Sequence, residues 1–119
     1  MAVTRDQVDA ICGGLPGAAL AHPPELVSWK VGGKMFACFG GDGEMRGVSV
    51  KTDSTETAAM LIDAGAAVRA PYFHKSWVRL QFDDADAEEL THRVTVSYDL
   101  VRKSLKKAER EALPEREKT

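Results

Sequence analysis

The stretch Ala70-Pro71-Tyr72-Phe73-His74-Lys75-Ser76-Trp77-Val78-Arg79 gathers three aromatic rings, an imidazole, an ammonium and a guanidinium within ten residues. These groups serve two chemistries. One is proton transfer by a positioned histidine. The other is recognition of nucleic acid, in which Lys and Arg meet phosphates while aromatic faces stack on bases. Lys30, Lys34 and Lys51 in the upstream half of the chain are of the types the second requires. With Tyr72, His74, Lys75, Trp77 and Arg79 they make up the candidate nucleic-acid-contacting set.

The catalytic alternatives find little support. His22, His74 and His92 are scattered and lack the i, i+4 spacing of a helical zinc site. Cys12 and Cys38 have no closely spaced partner of a metal or redox motif and are expected to be buried thiols. Around Cys38 there is no nucleophile elbow or cysteine-protease context. Gly32-Gly33-Lys34 is not a phosphate loop, because the upstream glycine is missing and Met35 stands where Ser or Thr belongs. The acidic run Asp83-Asp84-Asp86-Glu88-Glu89 suggests a metal surface by type, but acids at the start of a helix answer its dipole. No catalytic residue, metal or cofactor is therefore expected, and the chain is read as a non-enzyme.

Composition sets further bounds. The chain has 119 residues, 44% hydrophobic and 29% charged, which suits one globular domain with one core. Sixteen Lys and Arg stand against 18 Asp and Glu, a formal net charge of -2, so the whole molecule is not drawn to phosphate. Of residues 1–24, 25–82 and 83–119, only the middle segment carries more bases than acids, seven against six. The amino terminus lacks a signal-peptide pattern and no apolar run approaches membrane-spanning length, so no membrane contact is expected and the expected location is the cytoplasm.

The elements that would position the candidate residues follow from caps, turns and periodicity. Thr4 and Gln7 form a capping-box pattern, Val3 can staple onto Val8, and Gly13-Gly14 with Pro16-Gly17 stops a first helix over about 5–13. Segments 26–31 and 34–39 flank Gly32-Gly33 as a two-residue hairpin. That register sets Val31 opposite Lys34, Trp29 opposite Phe36 and Val27 opposite Cys38 on a core side. Leu26, Ser28, Lys30, Met35, Ala37 and Phe39 fall on a mixed, half-wet side. A third strand follows over 48–52, and Asp53 with Glu56 opens a second helix over about 54–64 that Gly65 ends. Segment 77–82 alternates buried Val78, Leu80 and Phe82 with Trp77, Arg79 and Gln81. Last comes one long helix carrying Leu90, Val94, Tyr98, Val101 and Leu105 on a stripe, acidic at its start and basic at its end.

The order is α-β-β-β-α-(β)-β-α, the bracketed strand near Val68 being left open. It predicts an α+β single two-layer domain over residues 1–112, an antiparallel sheet with helices packed on one face, and a flexible charged tail over 113–119. Ser28, Lys30, Ser49, Lys51, Trp77, Arg79 and Gln81 then fall on faces opposite the core, where they can form one basic, hydroxyl-bearing surface.

The opening helix ending in "GLPGA", the hairpin "WKVGGKMFACF", the strand "GVSVK", the segment "TAAMLIDAGAAVRAPYFHKSWVRL" and the closing "SYDLVRKSL" together resemble the MmcQ/YjbR family over about residues 5–107. The resemblance implies a compact α+β domain, similar in outline to the frataxin-like (CyaY-like) or secretion-chaperone-like arrangement, and a DNA-binding role. Many members carry YHxNKxHW before the last strand, whereas this chain has the shorter Tyr72-Phe73-His74-Lys75-Ser76-Trp77. The expected partner is DNA, held by charge from Lys30, Lys34, Lys51, Lys75 and Arg79 and by stacking or packing of Tyr72 and Trp77. Five such contacts give a log-log salt slope of about -4 to -5 on duplex DNA. The alternative is a protein partner docked on an exposed patch of Trp77, Tyr72, Phe73 and Met35.

Overall fold

The computed structural model describes residues 3–21, 26–40, 46–70 and 73–114. The elements in chain order are α1 (Arg5–Gly13), β1 (Ala19–Ala21), β2 (Val27–Val31), β3 (Lys34–Gly40), β4 (Gly47–Lys51), α2 (Thr55–Asp63), β5 (Val68–Arg69), β6 (Trp77–Gln81), α3 (Ala87–Lys103) and α4 (Lys107–Glu111). The strands form one antiparallel sheet in the order β1-β2-β3-β4-β6-β5. Helix α3 lies across β3 and β4, α1 packs on α3, and α2 packs on β5 and β6. The architecture is the α+β arrangement expected from the order of elements.

Local chemistry explains the boundaries. The Thr4 N–H donates to Gln7 Oε1 at 2.8 Å and the Gln7 N–H to Thr4 Oγ1 at 3.3 Å, closing the capping box that starts α1. Helix α2 is capped by Ser54, whose hydroxyl accepts from the Thr57 N–H, rather than by the Asp53 and Glu56 pair. Gly32 and Gly33 turn the hairpin at φ +58° and +81°. At Gly32 there is a second constraint: a Cβ would come within 2.7 Å of the Leu105 methyls.

Three departures from the sequence-based expectations have physical causes. The short Ala19–Ala21 segment, too brief to show alternation, becomes a strand because β2 offers it a pairing edge. At Val68, the position left open, β5 pairs with β6. The closing helix breaks at Ser104, whose N–H turns back to Leu100 and Val101 carbonyls and whose hydroxyl donates to the Val101 carbonyl at 2.6 Å. The break swings Leu105 into the core over Gly32.

A fourth departure changes a sheet face. Val31 does sit opposite Lys34, but Trp29 faces Ala37 and Ser28 faces Cys38. Bulges insert Phe36 and Phe39 as extra residues in β3, so both aromatics reach the helix side. There Phe36 meets Tyr98 edge-on at 5.3 Å and Phe39 meets Phe82 at 6.4 Å. The same bulges move Ala37 to the core side and Cys38 to the opposite side, reversing the sequence-based assignment of both.

The core joins Val8 and Cys12 of α1, the inward residues of β2, β3, β4 and β6, and Leu90, Val94, Tyr98 and Val101 of α3. Tyr98 places its hydroxyl 2.6 Å from the Pro16 carbonyl, to which it donates. Leu113, at the start of the segment read as a tail, packs on this core, and residues 115–119 lie outside the described residues.

Candidate nucleic-acid interface

Strand register decides which candidate residues meet. Facing residues share a side of the sheet. Ser28 faces Cys38, Cys38 faces Ser49, Ser49 faces Arg79, and Arg79 faces Val68, making one row across the side away from the helices. Lys51 faces Trp77 in the neighbouring row, and Lys30, facing Met35, shares the side of Ser28. The structure thus brings Lys30, Lys51, Trp77 and Arg79 onto one face, as alternation alone suggested.

The hydroxyls on that face are not offered to a ligand. Ser28 and Ser49 are buried, the first donating to the Leu26 carbonyl at 2.9 Å and the second accepting from Arg79 Nη1 at 3.3 Å. Arg79 also donates through Nη2 to the Phe39 carbonyl at 3.0 Å, so its guanidinium ties β6 to the bulged end of β3. The surface is basic and aromatic, and Ser49 supports the Arg79 guanidinium from below.

Lys34 does not join this face. Its Nζ lies 3.5 Å from the Ser104 carbonyl and from Ser104 Oγ at the end of α3. A cation there answers the negative end of the helix dipole.

The loop before β6 is tightly held. The Ser76 carbonyl accepts from the Thr52 N–H at 2.8 Å, with the Thr52 hydroxyl 2.6 Å away. The Ser76 N–H donates to His74 Nδ1 at 3.1 Å, and the Trp77 N–H donates to the His74 carbonyl at 2.9 Å. His74 thereby spends Nδ1 on shaping the turn. Phe73 stacks on Trp77 with centroids 4.6 Å apart and planes 22° apart. Lys75 is exposed beside this stack, and Tyr72 lies outside the described residues.

The protein-partner patch is less coherent than the sequence suggests. Phe73 and Trp77 each cover one face of the other's ring, and Met35 sits on β3 with β4 between it and β6. The exposed large hydrophobic side chains among the described residues are Leu26, Met60, Ile62 and Val68.

Both cysteines are buried thiols. Burial, helped by the nearby Asp9 charge, pushes the Cys12 thiol up from 9.0 to about 12. A thiol so raised stays protonated in the folded state while its unfolded counterpart ionises. Its contribution to stability is thus complete below about pH 9 and is lost as pH rises toward about 12. Labelling with a disulfide reagent at pH 8 should therefore follow unfolding: both thiols react in denaturant and neither reacts promptly without it. Prompt labelling of the folded chain would contradict this burial. Among the described residues, no three His, Cys, Asp or Glu side chains group as metal ligands. Asp86 of the acidic run caps α3 by accepting from the Glu89 N–H, and Glu89 pairs with Arg93 at 3.0 Å. No helix among the described residues is long and apolar enough to cross a membrane.

Two residues that matter to the site carried no clear sequence signal. Ser97 of α3 bonds to both β3 and β4, and Arg69 of β5 stands near Trp77. Only the helix stop at Gly65 followed by Val68-Arg69 and Pro71 pointed toward the strand that carries Arg69.

A model of the YjbR family matches residues 13–100, which include every candidate contact residue. Among solved structures, the chain is similar to the Deinococcus radiodurans protein DR2400, whose domain is DUF419. The two are 28% identical, with a TM-score of 0.78, over 91% of this chain and 86% of that one. No curated protein matches the chain.

Proposed function

The chain belongs to the YjbR family, and from that premise we propose that it is a non-enzymatic module that binds DNA through the helix-free sheet face and the adjoining loop 73–77. The observation that carries this reading is the pairing of Lys51 with Trp77, beside Arg79 and on the face that also holds Lys30. Cations reach phosphates there while the indole and Phe73 offer a ring surface to an exposed base. Lys75 extends the charge along the loop. A net charge of -2 confines attraction to this face, so binding is strongly salt-sensitive.

With Lys34 held at the end of α3, the proposal assigns one phosphate contact each to Lys30, Lys51, Lys75 and Arg79. The expected log-log salt slope is then about -3 to -4 on duplex DNA and about -3 on single strands, so a fourfold rise in salt weakens duplex binding roughly 100-fold. Fluorescence anisotropy over a salt series measures it. Absence of saturable binding even near about 20 mM salt, where the Debye length exceeds about 20 Å, would reject the proposal.

A further inference from the structure

On the side of Trp77 toward α2, a groove of about 520 Å³ runs between that helix and the loop before β6. Its walls are unlike those of the sheet face. Ala59 and Ile62 supply an aliphatic wall from α2, Phe73 and Trp77 supply aromatic surface, and Arg69 and Lys75 supply charge. Among the described residues, no acidic side chain lines it. Ile62 is left 37% exposed beside it, a large aliphatic side chain that the chain itself does not cover. Neither Arg69 nor Lys75 forms an ion pair with a described residue.

The frame of this groove is already set. Arg69 is fixed opposite Val78 by the β5–β6 pairing, Phe73 is anchored by its N–H to the Ala70 carbonyl at 3.4 Å, and the Ser76 and His74 bonds hold the loop. The aliphatic and aromatic walls beside two cations that pair with no described acid strengthen their local field, which favours an anion. Aromatic and aliphatic surface favours a flat, apolar body on the same ligand. The volume lies in the range of small-molecule sites, about 300–1,000 Å³.

The geometry points to a binding site in this groove for a planar aromatic anion of mononucleotide size, its ring against Phe73, Trp77 and Ile62 and its phosphate or carboxylate at Arg69 and Lys75. The site shares Lys75 and Trp77 with the sheet face but does not rest on DNA binding there.

The test is a titration of the isotope-labelled full chain, followed by amide and indole chemical shifts, with three probes: uridine 5′-monophosphate, inorganic phosphate and uridine. Uridine monophosphate should give saturable shifts at Ala59, Arg69, Ser76 and the Trp77 indole, with a dissociation constant in the millimolar range or below. Each half-probe should bind the same residues more weakly. Arg69→Glu combined with Lys75→Glu should weaken uridine monophosphate by at least about tenfold, because both charge-assisted contacts are reversed. Ala59→Glu, on an exposed helix position, should act in the same direction without touching either cation. Absence of saturation, shifts confined to Ser49 and Lys51, or affinity unchanged in these variants would each overturn the site. Oligonucleotide binding without uridine monophosphate binding would remove the groove and leave the sheet-face proposal standing. The reverse result would do the opposite.

Discussion

Replacing Ser97 with alanine should destabilise the fold by about 2–4 kcal/mol, far more than the loss of one oxygen atom suggests. Ser97 is fully buried, and its hydroxyl donates to the Phe36 carbonyl at 2.6 Å while accepting from the Lys51 N–H at 2.9 Å. Ala37 faces Val50, so Phe36 and Lys51 are the next pair along the same ladder. The bulge at Phe36 interrupts that ladder, and a side chain from α3 completes it. Alanine leaves a donor and an acceptor without partners, each costing about 1–3 kcal/mol when buried. Such a loss is a large share of the roughly 5–15 kcal/mol that holds a domain together. Urea denaturation measures the cost, and hydrogen exchange at the Lys51 amide locates it. A change below about 0.5 kcal/mol, with Lys51 exchange unaltered, would mean that the two backbone groups close on each other directly once the hydroxyl is gone.

Reversing the charge of Lys51 and Lys75 together should lower DNA affinity by about 100-fold or more at 50 mM salt, because each phosphate contact contributes roughly tenfold through counterion release at that concentration. The denaturation midpoint should barely move, since neither side chain carries a bond in the fold. Arg79→Glu should behave differently. Its guanidinium holds the Phe39 carbonyl and Ser49, so reversal removes charge-assisted hydrogen bonds worth about 1.5–3 kcal/mol each and weakens the sheet along with binding. Anisotropy and thermal unfolding on the same samples separate the two effects. If the Lys51 and Lys75 variant binds DNA as the parent does, with an unchanged salt slope, phosphate contact does not occur on this face.

Lys34 shows the limit of reasoning from residue type. In the sequence it is one more lysine in a basic stretch, and nothing local distinguishes it from Lys30. Its ammonium is drawn instead to the end of α3, because the hairpin turn packs beneath Leu105 and Ser104. Its partner is 70 residues away, beyond any periodic signal.

The sequence by itself determined the caps of α1, the hairpin at Gly32 and Gly33, the alternation of β4 and β6, and the buried stripe of α3. These signals are local: a cap needs a hydroxyl three residues away, and burial prints a period of two or about 3.6. From them came the α+β class and a face holding Lys30, Lys51, Trp77 and Arg79. The tertiary structure decided the rest. The bulges at Phe36 and Phe39 arise because two large rings both find space on the helix side, a property of the packed layers rather than of the strand. Ser97 completes the β3 and β4 ladder from 61 and 46 residues away. The groove beside Trp77 exists only once β5 pairs with β6 under α2. Alternation showed which side of its own strand each residue takes, and packing settled which residues share a surface.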